Sequence, residues 1–105
     1  MYAHPVISVI CPAYNESSVI DTFLGKLIPV LDEAKESYEV IFINDGSKDD
    51  TLNVLKSAKV HHPQIRIINL SRNFGKEAAL TAGIDAAKGE VVIPIDADLQ
   101  HPPRN

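Results

Sequence analysis

The chain has 105 residues, 45% of them hydrophobic and 23% charged, with a formal net charge of −4. That length allows one domain with a small core, the composition excludes a disordered chain, and the acidic balance argues against nucleic acid as a partner, which needs a basic surface. A single cysteine, Cys11, rules out a disulfide framework, and its place inside an apolar run reads as a buried, inert thiol.

The opening stretch MYAHPVISVICPAYNE has no basic segment and its apolar run breaks at Pro12, so it does not read as a signal peptide. The sequon at Asn15–Ser17 is therefore read as chance, and no run approaches the roughly 18 apolar residues of a membrane span. VISVIC (6–11) predicts a first strand. A helix follows on the stripe Ile20, Phe23, Leu24, Leu27, Ile28 and Leu31, with Ser17 or Ser18 as N-cap and Pro29 as a kink or stop. YEVIFIN (38–44) predicts the second strand, and a helix from about Asp49 to Val60 runs up to the HHP stop. IRIINL (65–70) predicts the third strand. KEAALTAGIDAAK (76–88) predicts a helix closed by Gly89, and EVVIPI (90–95) a fourth strand. The Val- and Ile-rich runs suit parallel strands covered on both faces. The order βαβαβαβ, with connections too long for hairpins, predicts a doubly wound, mainly parallel α/β sheet with right-handed crossovers.

In such sheets ligands bind beyond the carboxyl ends of the strands. There the chain places PAYNE (12–16), NDGS (44–47), SRNFGK (71–76) and DADLQ (96–100), whereas the opposite ends carry the solvated turns KESY, HHPQ and AKGE. Each cluster also has a plain reading: NDGS as a tight turn, Tyr14 and Asn15 as loop packing and a cap, Arg72 and Lys76 as surface charges, the histidines as surface or turn residues. Asp96 and Asp98 have one as well, a structural turn past the strand, but it is the weaker reading for them. On extended backbone, residues i and i+2 point the same way about 6.6 Å apart, so Asp96, Asp98 and Gln100 present oxygen atoms toward one point. Two like charges about 4 Å apart repel by roughly 4 kcal/mol at an effective dielectric of ~20. A hard cation, Mg²⁺ or Mn²⁺, turns that repulsion into binding, and a diphosphate can complete its shell. Neither a dinucleotide fingerprint nor a P-loop is present.

The segments VICPAYNE, VIFINDGSKDDT, LSRNFGKEAALTAGIDAAKGE and PIDADLQHPP, in this order and spacing, closely resemble the family 2 glycosyltransferases. The match is to their polyprenyl-phosphate branch, which includes dolichyl-phosphate mannosyltransferases and bactoprenol glucosyltransferases, and it runs from Val6 to Pro103. The resemblance implies the nucleotide-binding, Rossmann-like half of a GT-A fold, four strands in the order 3-2-1-4. It implies a nucleotide pocket lined by Pro12, Tyr14 and Glu16, with Asp45 at the base and Asp96 near the ribose and the metal. Asp96, Asp98 and Gln100 become metal ligands, and Arg72, Asn73 and Lys76 belong to the same binding surface. Asn44 departs from the Asp, and Arg104 from the Glu, that many members carry.

The implied reaction is inverting transfer of a sugar from a UDP- or GDP-sugar to a polyprenyl phosphate, with Asp96 and Asp98 the catalytic carboxylates through the metal they hold. A phosphate acceptor is already ionised and needs no general base. The acceptor site and membrane attachment, at the cytoplasmic face, are expected outside these residues, which read as a donor-binding half cut just after the DxD motif. An apolar edge at VVIPI is then open to self-association. Two alternatives stand beside this reading: a haloacid-dehalogenase-like phosphatase with Asp96 as nucleophile, and a nucleotide-binding half-domain without turnover.

Overall fold

The apolar runs pair into one sheet because each is long enough for a strand and each link long enough to carry a helix back across it. In the structure, a computed structural model, residues 4–97 are described. Chain order is β1 (Ile7–Ala13), α1 (Ile20–Glu33), β2 (Tyr38–Asp45), α2 (Thr51–His61), β3 (Ile65–Leu70), α3 (Lys76–Ala86) and β4 (Val91–Pro94). The strands lie in the order β3-β2-β1-β4, and all three pairings are parallel.

Alternation along β1 and β2 splits the core into two layers. Val9, Cys11, Val40 and Phe42 face α1 and α2, packing with Phe23, Leu24, Leu27 and Leu55. Phe23 meets Phe42 edge to face, with centroids 6.0 Å apart. Ile10, Ile41 and Ile43 face α3 and pack on Ala79. That helix sits close because Gly83 offers no side chain: a Cβ there would lie 2.4 Å from Cγ2 of Ile10 and 2.7 Å from Cδ1 of Ile43.

The amino edge of the sheet is pinned by a buried carboxylate. Glu39 accepts hydrogen bonds from Ser8 Oγ (2.5 Å), the Lys88 N–H (2.8 Å) and Arg66 Nη1 (2.7 Å). Burial alone would raise its pKa, but these donors and the Arg66 charge outweigh it and hold the group below the ordinary value.

Four local expectations need correction. Neither Ser17 nor Ser18 caps α1, whose N-cap is Val19 with no side-chain bond; Ser17 is drawn instead to Asp49. Pro29 does not end α1, which continues to Glu33, because Pro29 lies on the exposed face, where the orphaned Gly25 carbonyl meets water. Gly89 does not cap α3, which stops at Ala86. Gly89 lets the chain pass Ser8 closely, since a Cβ would lie 2.6 Å from the Ser8 Oγ. Finally, β1 and β2 are covered on both faces, but all four residues of β4 are exposed.

Two helical glycines therefore respond oppositely to alanine. Gly83→Ala should lose about 1–3 kcal/mol through forced movement of Ile10 and Ile43, despite alanine's better helix propensity. Gly25→Ala, in α1 with nothing within 4 Å of its Cβ position, should gain about 0.5–1 kcal/mol. Urea unfolding of both variants checks this, and a stabilised Gly83→Ala would contradict the close approach of α3.

Candidate functional site

Beyond the carboxyl ends of β1 and β2, two loops are stitched together by side chains far apart in sequence. Asn15 adopts a left-handed backbone, φ 53°. Its N–H donates to Ser47 Oγ (2.9 Å), while its Oδ1 accepts the Lys48 N–H (2.8 Å). The Glu16 N–H donates to Thr51 Oγ1 (2.9 Å), and Ser17 donates to Asp49 through its N–H and hydroxyl. Asp49 also accepts the Thr51 hydroxyl and N–H, and the Thr51 hydroxyl is the main cause of its lowered pKa. This stitching fixes Tyr14 and Glu16 beside the end of β2.

The second clamp joins β2 to the loop before α3. Asp45 is only 3% exposed. Its Oδ1 accepts the Phe74 N–H (2.8 Å), and its Oδ2 accepts the Gly75 N–H (3.1 Å) and Asn73 Nδ2 (3.1 Å). Asn73 Nδ2 also donates to the Asp45 carbonyl (3.1 Å). Gly46, at φ 70°, passes so close that a Cβ would lie 2.2 Å from the Arg72 carbonyl carbon. NDGS is thus a tight turn as well as part of the site wall. Gly75, at φ 101°, then starts α3 with Lys76 facing the end of β4, where Lys76 Nζ lies 2.8 Å from Asp96 Oδ1.

The result is a hollow of about 360 Å³ whose lining includes Pro12, Tyr14, Glu16, Asp45, Asn73, Lys76 and Asp96. Seven of the residues singled out in the sequence thus meet around one space. Arg72 does not line it. Its guanidinium stacks over Phe74, 4.7 Å from the ring centroid, and it lines a neighbouring polar hollow with Lys48 and Asn69. Asp98 and Gln100 lie outside the described residues. Sequence reasoning missed Gly75 and the backbone it shapes, although a glycine just before a helical run is a visible signal; the Asn15 and Asp49 stitching left no such signal. Burial, with Asp96 and Glu16 adding repulsion, pushes the Cys11 thiol far up and keeps it protonated.

Asp96 offers a hard oxygen donor at the open rim, the donor type that Mg²⁺ or Mn²⁺ takes. Among the described residues no group of three or more His, Cys, Asp or Glu side chains could hold a metal ion. The donor chemistry of Asp96 therefore fits one ligand of a shared cation, and residues 4–97 alone do not cage one. No helix among the described residues is long and apolar enough to cross a membrane.

The Asp45 clamp makes a direct prediction. Asp45→Ala should cost about 1–3 kcal/mol, because buried N–H groups lose their acceptor. Amide exchange at Phe74 and Gly75 should accelerate more than at the strands. Unchanged exchange at those two amides would show that the loop holds itself.

The glycosyl transferase family 2 model matches residues 8–105. The chain is 54% identical over 97 residues to an uncharacterized glycosyltransferase of Synechocystis, sll0501, covering 92% of this chain and 30% of that protein. It is 39% identical over 99 residues to the undecaprenyl-phosphate 4-deoxy-4-formamido-L-arabinose transferase of Aeromonas hydrophila, covering 93% of this chain and 30% of that protein. Among solved structures, the mannosyltransferase PcManGT of Pyrobaculum calidifontis, in complex with GDP-Man and Mn²⁺, superposes with a TM-score of 0.80 at 28% identity, over 97% of this chain and 30% of that one. The chain thus spans 30% of the length of each. Its sheet, with strands in the order β3-β2-β1-β4, is that of the GT-A glycosyltransferases, and with the matched motifs it makes this chain a member of glycosyl transferase family 2.

Proposed function

We propose that this chain is the donor-binding part of a glycosyltransferase that moves a sugar from a UDP- or GDP-sugar to a polyprenyl phosphate. The observation that carries the reading is the single hollow that gathers an aromatic ring, a lysine and an acidic rim from the ends of three strands and the start of α3. The PcManGT complex with GDP-Man and Mn²⁺ supports the donor class, and the undecaprenyl-phosphate transferase supports the acceptor class.

In this reading Tyr14 and Pro12 wall the nucleoside, and Asp45 acts at the base and by holding the Asn73–Gly75 segment against the pocket. Lys76 supplies positive charge to the diphosphate, with Arg72 and Asn73 at the margin. Asp96, with Asp98 and Gln100, would hold a divalent cation, Mg²⁺ or Mn²⁺, which would supply charge stabilisation to the departing nucleoside diphosphate. The lipid-phosphate oxygen attacks the anomeric carbon from the face opposite the leaving group, so configuration inverts, and the acceptor's existing charge makes a protein base unnecessary. Acceptor binding and attachment at the cytoplasmic face of a membrane would rest on parts of the enzyme outside these residues. Family membership leaves the phosphatase reading of Asp96 without support.

Calorimetry with UDP and GDP, each with and without Mn²⁺, tests the reading. Weak, metal-dependent binding of one nucleotide is expected, reduced at least tenfold by Asp96→Ala, with no sugar transfer by these residues alone. No heat from either nucleotide in the presence of Mn²⁺ would contradict a donor site here.

A further inference from the structure

Lys76 and Asp96 are brought together from the first residue of α3 and the stretch just past β4, with Nζ 2.8 Å from Oδ1. Both side chains are more than half exposed, at 59% and 57%. An ion pair in that much solvent is weak, worth no more than about fivefold in an equilibrium, so it opens readily when a stronger partner for either member arrives. Among the described residues lining the hollow, Lys76 is the one base. The acids differ sharply in availability: Asp45 is buried with its carboxylate committed to the Asn73–Gly75 segment, and Glu16 has a buried Oε1. Asp96 presents the accessible carboxylate, and Lys76 already sits on it.

We propose that Lys76 is a resident counter-ion: in the free protein it takes the place at Asp96 that a divalent cation takes in the loaded site, and it then passes to the donor's diphosphate. This rests on the donor-site reading above. The compact ammonium on a flexible four-carbon stem suits both positions without movement of α3. Two charges of the same sign cannot share Asp96 at close range, so Lys76 competes with the cation when no nucleotide is present. A diphosphate removes that competition by drawing Lys76 off Asp96. Cation and nucleotide therefore help each other bind, and by linkage the help is equal in both directions. Lys76 thereby suppresses cation binding in the empty site, and that suppression is lifted in the filled one.

The test uses the whole chain and two variants, Lys76→Met and Lys76→Arg, whose exposed position leaves the thermal unfolding midpoint as a control for folding. Free Mn²⁺ is counted by electron paramagnetic resonance during titration without nucleotide, and UDP or GDP is then titrated by calorimetry at saturating Mn²⁺. Lys76→Met should bind Mn²⁺ alone about three- to fivefold more tightly than the parent, yet bind the nucleotide about tenfold more weakly. Lys76→Arg should stay near the parent in both. Unchanged or weaker Mn²⁺ binding by Lys76→Met would overturn the competition. If nucleotide binds but Mn²⁺ binds neither the parent nor Lys76→Met, this inference fails while the donor site stands. Loss of both kinds of binding from the parent would remove both.

Discussion

A carboxylate buried at the end of the second strand organises the working edge of this protein. Asp45 is where β2 stops, and its two oxygens are committed to the backbone of Phe74 and Gly75 and to the Asn73 side chain. A group of this kind cannot be left without partners, since a buried charge lacking hydrogen bonds is strongly unfavourable. The Asn73–Gly75 segment is therefore obliged to wrap around it. That wrap sets where α3 begins, α3 sets where Lys76 starts, and Lys76 reaches Asp96 just past β4, which pairs with β1. A second buried carboxylate, Glu39, does comparable work at the opposite edge, where it holds Ser8, Arg66 and the Lys88 backbone. Both edges are tied by such bonds, and the hollow lined by Tyr14 and Asp96 lies at the Asp45 edge.

The strands were legible because β1, β2 and β3 are nearly unbroken Val and Ile runs, and their ends needed only small extensions to Ala13 and Asp45. The edges of the helices were not. Ser17 looks like a cap from its neighbours, but Asp49 lies across the loop and competes for it, and no local rule sees a partner 32 positions away. Gly89 looks like a helix stop, yet its small size serves a contact with Ser8 that is 81 positions distant. Pro29 looks like a breaker because sequence does not show which face of a helix meets water.

The site divides in the same way. That these strand ends meet was readable from the rule that ligands bind past the carboxyl ends of parallel strands: Pro12, Tyr14, Glu16, Asp45, Asn73, Lys76 and Asp96 line one hollow, Arg72 does not, and Asp98 and Gln100 lie outside the described residues. Their division of labour was not readable. Asp45 looked like an open ligand for a base, whereas its carboxylate also holds the loop. Arg72 looked equivalent to Lys76, but cation–π stacking on Phe74 turns it toward a different hollow. Such differences depend on which backbone groups come near each side chain, and sequence spacing does not carry that.

The claim on which the functional account rests is that a nucleoside diphosphate enters the hollow between Tyr14 and Asp96. Backbone amide shift mapping by NMR, with Mg²⁺ as a diamagnetic cation and UDP or GDP as ligand, addresses it residue by residue. The account predicts shifts at the amides of Ala13, Tyr14, Asn73, Gly75 and Ala97, with Ser8, Glu39 and Lys88 at the far edge unmoved. Shifts centred on Lys48, Asn69 and Arg72, or on the Glu39 edge, with the Tyr14–Asp96 hollow silent, would contradict it.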